Sequence, residues 1–266
     1  MLGAGAAAVW VLGTPSLLRA TASRPLRFGL TPVFLSNDLA LLANLKSYLE
    51  SATGKAVELV TRRTYQEITA LLVSTQLDAA WLCGYPFVQF RDRLSLVAVP
   101  VWRGETLYRS YLICGAGRAA DSVEALAGDI HAFSDPDSNS GCLVTQALLA
   151  ERGTTPEAFF RRAIFTYGHR NVVRAVASGL AQSGSVDGYV LEVLRDIEPT
   201  LAGRVRVVRR SEQLGFPPVA APADLAEGAR TGALRAALLS METDPDGRKL
   251  LAALRLDGFT ERPAAL

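Results

Sequence analysis

Residues 56–83 read AVELVTRRTYQEITALLVSTQLDAAWLC, which is a strand, a helix and a second strand in close succession. The two ends are short apolar runs of strand length, and Tyr65–Thr75 between them has the apolar spacing of a helix. Thr64 is suited to cap this helix, because Glu67 three residues later completes a capping box. A strand, helix and strand at this spacing form a βαβ unit, so the run predicts a parallel sheet with a right-handed crossover.

The same alternation of strands and helices extends in both directions from this run. Before it, Leu26–Leu30 is predicted as a strand and Asp38–Ala52 as an amphipathic helix. After it, a second series follows the long extended stretch Ser95–Cys114, and two closing helices beyond residue 216 have only the strands of the first series left to cover. We therefore expect an α/β fold with two lobes, each a mixed sheet flanked by helices, joined by two extended hinge crossings. Lobe 1 is predicted to comprise residues 26–110 and 216–266, and lobe 2 residues 113–209.

The chain between the two series is predicted to form an antiparallel pair. Val97–Trp102 and Tyr108–Cys114 have strand patterns on either side of Arg103-Gly104-Glu105. Two lobes with two crossings are the layout of a hinged binding protein, in which the ligand lies between the lobes. Because ligands of open α/β sheets lie outside the carboxyl ends of the strands, the loops at those ends form the candidate site. These loops are residues 31–37, 61–65, 83–86, 134–141, 167–171 and 182–189.

The composition excludes several classes of protein. The chain has 266 residues, 49% of them apolar, and its 28 basic and 26 acidic side chains give a net charge of +2. An apolar chain with so little net charge is folded, and it has no bias toward nucleic acid. Three scattered cysteines (83, 114 and 142) do not make a disulfide scaffold or a zinc site, and two histidines argue against a His-rich metal centre. We expect no cofactor.

The N-terminal residues have the pattern of a signal peptide. Residues 2–13 are an uncharged apolar run that is too short to span a bilayer, and Ala20-Thr21-Ala22 supplies a cleavage pattern. We therefore predict a signal peptide over residues 1–22 and a periplasmic protein that is soluble once this segment is removed. The usual positively charged start is missing, which leaves a small apolar helix packed on the domain as the alternative.

The loop Asp135-Pro136-Asp137-Ser138-Asn139-Ser140-Gly141 follows a predicted strand and opens a predicted helix. Small polar residues at a helix N-terminus leave backbone N–H groups free, and the helix dipole adds about half a positive charge. Such a loop binds phosphate-like oxyanions without a lysine. The same residue types are also favoured as ordinary N-caps, so the pattern alone leaves both interpretations open.

This loop and several other segments resemble the phosphate/phosphite/phosphonate-binding family of periplasmic solute-binding proteins. The loop is the most specific match, and the resemblance covers nearly the whole chain beyond residue 22. The other matching segments are Phe28-Gly29, Thr31-Pro32, Thr64-Tyr65, Leu77–Trp81, Tyr167-Gly168-His169, Gly184–Leu194, Asp246–Leu254 and Gly258-Phe259. The resemblance implies a type II periplasmic-binding-protein fold that captures a small oxyanion and delivers it to an ABC permease.

The resemblance also implies roles for individual residues. Ser138, Asn139 and Ser140 correspond to the loop that holds the phosphonate oxygens. His169 corresponds to a histidine that faces the oxyanion, and Tyr65 to a tyrosine that closes the site; without the resemblance they would be an N-cap and a packing residue. The candidate ligand-binding residues are Tyr65, Cys83, Tyr85, Ser138, Asn139, Ser140, Gly141, His169, Arg170 and Asp187.

Two departures from the family pattern bear on the ligand. Relatives that bind aminophosphonates use acidic residues for the ammonium group, where this chain has Arg170 and, near the second position, Gln182. A guanidinium there would repel a cationic tail at close range. The sequence therefore favours phosphate, phosphite, a simple phosphonate such as methylphosphonate, or an arsenic oxyanion.

Two of the cysteines fall on loops predicted to face the cleft. Cys83 lies at a strand end and Cys142 directly follows the oxyanion loop. Each is either a small buried hydrophobic residue, a partner in a Cys83–Cys142 disulfide, or a ligand contact. With a cysteine in the cleft, the chain resembles arsenite-binding sensor proteins, which are similar to the same family. The alternative function is therefore a thiophilic oxyanion sensor that signals to a membrane histidine kinase.

An enzyme is the third class of function to consider. Asp187, Glu192 and His169 would make an acid–base set, and Ser138 or Ser140 a nucleophile. However, the chain has no nucleophile elbow, phosphate-binding P-loop, dinucleotide-binding turn or zinc-protease motif. Asp187 is better explained as a helix cap or a positioning residue. We expect a monomeric binding protein that is not an enzyme, with a permease or a sensor kinase as its partner.

Overall fold

The computed structural model describes residues 24–31 and 39–265, so the predicted signal peptide lies outside the described residues. The first part of the described chain alternates strands and helices. The elements are β1 (Leu26–Leu30), α1 (Leu39–Thr53), β2 (Val57–Thr61), α2 (Tyr65–Val73), β3 (Ala79–Trp81), α3 (Gly84–Gln89) and β4 (Leu94–Val101). The predicted capping box is present, because Thr64 Oγ1 accepts the Glu67 N–H at 3.3 Å and the Glu67 carboxylate accepts the Thr64 N–H at 3.0 Å.

The middle part of the chain follows the same alternation with shorter helices. Its elements are β5 (Leu107–Tyr108), β6 (Ser110–Gly115), β7 (Ile130–Phe133), α4 (Val144–Ala150), α5 (Pro156–Phe159), β8 (Arg162–Phe165), α6 (His169–Ala177), β9 (Ser183–Asp187), α7 (Gly188–Ile197), α8 (Pro199–Ala202) and β10 (Val205–Arg210). A 3₁₀ turn at Glu124–Leu126 precedes β7, and a single π-helical turn at Asn139–Leu143 precedes α4. The helix predicted to begin at Gly141 therefore starts as this wider turn.

The last part of the chain returns to the first group of strands. Its elements are β11 (Leu214–Gly215), β12 (Val219–Pro222), a 3₁₀ turn at Ala223–Leu225, α9 (Ala229–Leu239), α10 (Pro245–Leu254) and β13 (Gly258–Thr260). Both α9 and α10 pack against α1, and α9 also contacts β4 and β13. None of the helices in the described ranges is long and apolar enough to cross a membrane.

Two mixed sheets form the two lobes. The six-stranded sheet has the order β13-β4-β12-β3-β1-β2, in which β1 runs parallel to β2 and β3 while β12 and β13 run antiparallel to their neighbours. The five-stranded sheet has the order β10-β6-β9-β7-β8, with β7 parallel to β8 and β9 and with β6 antiparallel to β9 and β10. The predicted fold class, an α/β fold with two mixed sheets, is confirmed.

The predicted antiparallel pairing of Val97–Trp102 with Tyr108–Cys114 is wrong. Strand β4 pairs with β12 and β13 in one sheet, and β6 pairs with β9 and β10 in the other. The tight turn after β4 forms only an isolated antiparallel β-bridge between Trp102 and Glu105. Strand patterns show that two segments are extended, but both edges of β4 are taken by segments that return from more than a hundred residues away.

The chain passes between the two sheets through β5 and β11. These short strands pair antiparallel, with Leu214 opposite Tyr108 and Gly215 opposite Leu107. Next to this pair, the Tyr108 ring packs against Phe216 at 5.6 Å, and Phe216 contacts the Tyr189 ring at 5.2 Å. Aromatic packing therefore lines the junction of the lobes. The lobe boundaries given above, at residues 110, 113, 209 and 216, stay predictions.

Candidate functional site

The loop between β7 and α4 supplies the centre of the candidate site. Ser138 has an extended backbone and caps the following turn, because its Oγ accepts the Gly141 N–H at 3.0 Å. The Leu143 N–H donates to the Ser138 carbonyl at 3.0 Å, which closes the π-helical turn. Such turns are frequent at functional sites. The wider turn holds Ser138 and Ser140 inside the protein, where both are buried.

Gly141 is required by its surroundings. A Cβ atom at this position would collide with Ser134 Oγ and lie 2.8 Å from His169 Cε1. The absence of a side chain lets the loop approach β7 and the start of α6 together. This explains the glycine that ends the oxyanion loop.

His169 is a neutral hydrogen-bond donor in this site. It begins α6 after Tyr167 and Gly168, which both have positive φ angles (52° and 153°), and its ring is buried. Nδ1 accepts the Asp187 backbone N–H at 3.0 Å, so the ring proton is on Nε2. Nε2 lies 3.3 Å from the Tyr65 hydroxyl. Burial lowers the pKa of His169 to about 3, which keeps the ring uncharged.

Three hydrogen bonds join the lobes across the site. Besides the Tyr65–His169 contact, the Tyr65 N–H donates to Asp135 Oδ2 at 3.2 Å, and the Asn139 N–H donates to Cys83 Sγ at 3.3 Å. Tyr65 and Cys83 belong to the six-stranded lobe, whereas their three partners belong to the other lobe. The lobes are therefore in contact at the carboxyl ends of their strands, which is where the sequence predicts the ligand.

Three buried hydroxyl groups at the site lack a hydrogen-bond partner among the described residues. They are Ser134 Oγ, Ser140 Oγ and the Tyr108 hydroxyl. Ser140 lies near Tyr108 and Asp187 and lowers the pKa of each, yet its Oγ forms no hydrogen bond of ordinary geometry. Each unsatisfied buried polar group costs about 1–3 kcal/mol, so the cluster is suited to a ligand that accepts hydrogen bonds.

Asp187 places a carboxyl group beside these hydroxyls. It is 1% exposed and caps α7, with Oδ1 accepting the Val190 N–H at 3.2 Å. Burial raises its pKa to about 7. Its charge in turn raises the pKa of Tyr65, Cys83 and Tyr108, although burial is the larger cause for each of them.

The structure brings most of the predicted site residues together. Tyr65, Cys83, His169 and Asp187 surround the loop that contains Ser138, Asn139, Ser140 and Gly141. Tyr85 lies in α3, and its backbone N–H lies near the Cys83 thiol, where it lowers the pKa of that group.

The Arg170 guanidinium forms an ion pair with Glu198 at 2.7 Å, at the end of α7, while its Nε is buried without a partner among the described residues. Its place among the ligand-binding residues stays a prediction. Gln182 also has a structural role, since its Oε1 accepts the Ile130 N–H at 2.9 Å. The Glu198 carboxylate balances the charge of Arg170, which weakens the argument that this residue repels an ammonium group.

Three residues of the site were missed from the sequence. Ser134 and Asp135 lie in the predicted loop but were not singled out, and the signal for them was their place at the carboxyl end of β7. From the sequence, Tyr108 is only the first residue of a predicted strand. In the structure its ring packs at the junction of the lobes, and its hydroxyl reaches the neighbourhood of Ser140 and Asn139.

The cysteines occupy two different environments. Cys83 packs against Tyr65, whereas Cys142 lies in an apolar cluster of the second lobe and accepts the Gln146 side-chain N–H at 3.3 Å. All three cysteines are free, so no Cys83–Cys142 disulfide is formed. Burial raises the pKa of Cys83 to about 11 and of Cys142 to about 12. Within residues 24–31 and 39–265, no group of three or more His, Cys, Asp or Glu side chains is arranged to hold a metal ion.

Comparisons with known proteins identify relatives of this fold. The family model described as "ABC transporter, phosphonate, periplasmic substrate-binding protein" matches residues 28–264. A binding protein component of an ABC phosphonate transporter from Pseudomonas aeruginosa has a TM-score of 0.82 at 22% identity, covering 89% of this chain and 81% of its own. PhnD1 from Prochlorococcus marinus, solved with methylphosphonate, has a TM-score of 0.79 at 17% identity, covering 90% and 93% of the two chains.

The same fold also occurs in a sensor protein. A histidine kinase sensor domain with similarity to periplasmic binding proteins has a TM-score of 0.59 at 16% identity, covering 89% of this chain and 99% of its own. At these identities the solved structures show the fold alone.

Proposed function

Because the chain belongs to the family of periplasmic substrate-binding proteins of phosphonate ABC transporters, we propose that it captures a small phosphorus oxyanion for import. The family consists of solute-binding transport proteins, not enzymes. On this proposal, the exported monomer closes around phosphate, phosphite or a simple phosphonate in the periplasm. It then delivers the ligand to the permease of an ABC importer.

The observation that carries this proposal is the set of buried hydroxyls without a partner. Ser140 lies beside Tyr108, Ser134 lies against Gly141 of the same loop, and His169 Nε2 lies 3.3 Å from the Tyr65 hydroxyl. Tetrahedral oxyanions accept several hydrogen bonds at once, and each bond to a charged acceptor is stronger than a neutral one. The donor set therefore suits an anion of this shape, with no need for a lysine or arginine.

The enclosure supports a small ligand. The hydrogen bonds Tyr65–Asp135 and Asn139–Cys83 join the two lobes, and both Asp135 and Asn139 belong to the oxyanion loop. A long substituent on the phosphorus atom would separate these pairs, whereas a hydroxyl, a hydrogen or a methyl group would not. Methylphosphonate, the ligand in the complex of the Prochlorococcus relative, is of this size.

The proposal is tested by isothermal titration calorimetry with phosphate, phosphite, methylphosphonate and 2-aminoethylphosphonate. The Ser140→Ala variant is expected to lose about tenfold to a hundredfold in affinity, because it removes a hydrogen bond to a charged group. Ser178→Ala is the matched control, since Ser178 caps the distal end of α6 and bonds to the Ala175 carbonyl at 3.1 Å. Binding of none of the phosphorus oxyanions by the wild-type protein would refute the proposal.

Cys83 favours a second candidate function, an arsenite sensor that signals to a membrane histidine kinase. Its thiol lies in the site and contacts Tyr65 and the Asn139 N–H. One observation argues against the sensor function. Metalloid binding requires a thiolate, but burial raises the pKa of the Cys83 thiol to about 11, so the thiol stays protonated at neutral pH. Cys142 lies in another cluster and supplies no second sulfur.

Arsenite titration of the wild-type protein and of Cys83→Ser separates the two functions. The oxyanion carrier is expected to bind phosphorus oxyanions and to show no arsenite affinity that depends on Cys83. Cys114→Ser is the control, because Cys114 is buried in the second lobe. Arsenite binding that is lost in Cys83→Ser alone would support the sensor.

A further inference from the structure

A contact between Arg63 and Tyr167 joins the two lobes outside the oxyanion loop. Arg63 lies between β2 and α2, and Tyr167 lies between β8 and α6. The Cζ atom of Arg63 lies over the Tyr167 ring, 4.5 Å from its centroid. A guanidinium at this distance from an aromatic face forms a cation–π contact, which strengthens as water is excluded. Because the two side chains belong to different lobes, the contact must break when the lobes separate.

The order of the strands places this contact far from the hinge. Strand β2 is the last strand of the six-stranded sheet, and β8 is the last strand of the five-stranded sheet. The chain crosses between the lobes from β4 to β6 and from β10 to β12. Strands β2 and β8 each lie three or four strands away from these crossings, which is about 14–19 Å at the usual spacing of neighbouring strands. A contact between these edges therefore opposes rotation of the lobes with a long lever arm.

The contact is the outer of two layers that join the same pair of loops. Arg63 is exposed and Tyr167 is half-buried. Two residues further along each loop, Tyr65 and His169 are buried, and the Tyr65 hydroxyl lies 3.3 Å from His169 Nε2. The inner pair belongs to the candidate site, and the outer pair lies closer to solvent. Opening the site at this edge therefore requires the Arg63–Tyr167 contact to separate.

The backbone around Tyr167 holds its ring in place for Arg63. Tyr167 has a φ angle of 52°, in the left-handed region that residues with a side chain rarely adopt. Such a conformation persists where the surrounding structure holds it. Here Thr166 Oγ1 donates to the Phe133 carbonyl at 3.1 Å, and the Asn171 side-chain N–H donates to the Thr166 carbonyl at 3.0 Å. The aromatic partner is thus fixed to its own lobe, and the contact costs little further ordering of the ring.

We propose that Arg63 and Tyr167 form a latch at the mouth of the cleft, which holds the lobes together and slows release of the bound ligand. This inference rests on the proposed function for the ligand, and it adds two residues that act through closure of the lobes. A latch that exists only in the closed state acts mainly on the rate constant of dissociation. A positive charge that merely attracts an anion would act on the rate constant of association. The two rate constants therefore distinguish a latch from a steering charge.

Opening of the lobes is measured without any ligand by hydrogen exchange on the full chain. The backbone N–H groups of Tyr65 and Asn139 donate across the lobes, to Asp135 Oδ2 and Cys83 Sγ. Their exchange therefore reports how often the lobes separate. Arg63→Gln is expected to speed the exchange of both amides by about threefold to tenfold, since it removes the cation from the Tyr167 ring.

The neighbouring arginine provides the matched control. Arg62 is also exposed and carries the same charge, but its guanidinium donates to the Thr61 carbonyl at 2.8 Å, within its own lobe. Arg62→Gln is expected to leave the exchange of both amides unchanged. On the other lobe, Tyr167→Phe keeps the ring and should behave as the wild-type protein does, whereas Tyr167→Leu removes the ring and should match Arg63→Gln. If Tyr167→Leu does not fold, Arg63→Gln and Tyr167→Phe decide.

The effect on the ligand is measured by the release of radiolabelled phosphate or methylphosphonate into an excess of the unlabelled compound. Arg63→Gln is expected to raise the dissociation rate constant by about threefold to tenfold and to lower the association rate constant no more than Arg62→Gln does. Amide exchange that is unchanged in Arg63→Gln, or that rises equally in Arg62→Gln, overturns the latch and leaves the proposed function standing. A loss of affinity through association alone, shared by both variants, also overturns it. Faster exchange in Arg63→Gln with no binding of any phosphorus oxyanion by the wild-type protein overturns the proposed function and supports the contact as a latch between the lobes.

Discussion

Nδ1 of His169 accepts a hydrogen bond from the backbone N–H of Asp187 at 3.0 Å. This bond fixes the tautomer of a buried, neutral ring, because an N–H donor on one side leaves the proton on Nε2. It also joins the start of α6 to the end of β9 in the second lobe. The ring is thereby held with its donor toward Tyr65 and the oxyanion loop.

Replacement of His169 by glutamine is expected to weaken methylphosphonate binding by about tenfold to a hundredfold. The reason is that the glutamine N–H would not lie where the His169 Nε2–H donates to the charged ligand. His131 offers the matched control. Its two ring nitrogens each lie 2.8 Å from a buried serine, Ser183 or Ser185, within the sheet. His131→Gln is expected to lower thermal stability and to leave the affinity of the folded fraction unchanged. Equal loss of affinity in both variants would remove the special role of His169.

Gly141→Ala is expected to disrupt the site, because the new methyl group would overlap Ser134 Oγ and press on His169. Overpacking of this kind costs about 1–3 kcal/mol of unfolding free energy, and the displaced loop should bind phosphate at least about tenfold more weakly. Gly115→Ala is the control, since a Cβ there meets nothing within 4 Å. Chemical denaturation and calorimetry on both variants measure the two effects. Normal affinity in Gly141→Ala would show that the loop tolerates a side chain.

Local sequence patterns were sufficient for much of the fold and for the centre of the site. The capping box at Thr64 and the loop 134–141 depend on residues that are adjacent in sequence, and both lie where they were predicted. The parallel arrangement of β1, β2 and β3 follows from the length of the connections between them. These features are encoded within about thirty residues of chain, which is the range of a βαβ unit.

Long-range contacts account for what the sequence did not predict. The partners of β4 and β6 come from distant segments, so their strand patterns did not identify the sheet to which each belongs. The ion pair of Arg170 with Glu198 joins the start of α6 to the end of α7, and no local pattern identifies that contact. The position of the Tyr108 hydroxyl depends on the pairing of β5 with β11.

Buried titratable groups give the protein a specific dependence of stability on pH. Burial lowers the pKa of His131 and His169 from 6.5 to about 3 and raises that of Asp187 from 3.8 to about 7. Between about pH 3 and 6.5 the unfolded chain binds protons at both histidines that the folded chain does not, so their contribution to unfolding free energy rises with pH. Asp187 acts in the opposite direction, because between pH 3.8 and about 7 the folded chain keeps a proton that the unfolded chain releases.

Asp187→Asn is therefore expected to stabilise the ligand-free protein at about pH 8, where the wild-type protein buries a charge, by on the order of 2–4 kcal/mol. The difference should vanish below pH 3.8, where the carboxyl group is neutral in both the folded and the unfolded state. Urea denaturation at several pH values measures it. Asp244→Asn, which changes the cap of α10, is expected to show no such pH-dependent gain. A gain that is the same at all pH values would contradict the assignment of the effect to ionisation.

Tyr65→Phe is expected to weaken ligand binding by about threefold to tenfold, because it removes the hydroxyl that meets His169 Nε2 and keeps the ring that packs on Cys83. The Tyr65 N–H bond to Asp135 remains in the variant, so the start of α2 keeps its contact with the other lobe. Tyr48→Phe is the matched control: its hydroxyl donates to the Ala237 carbonyl at 2.6 Å, between α1 and α9, so its loss should lower stability alone. Calorimetric titration with phosphate and methylphosphonate, together with thermal melts of both variants, separates the two roles. A Tyr65→Phe protein with wild-type affinity would show that the hydroxyl contributes to closure of the lobes without contributing to capture of the oxyanion.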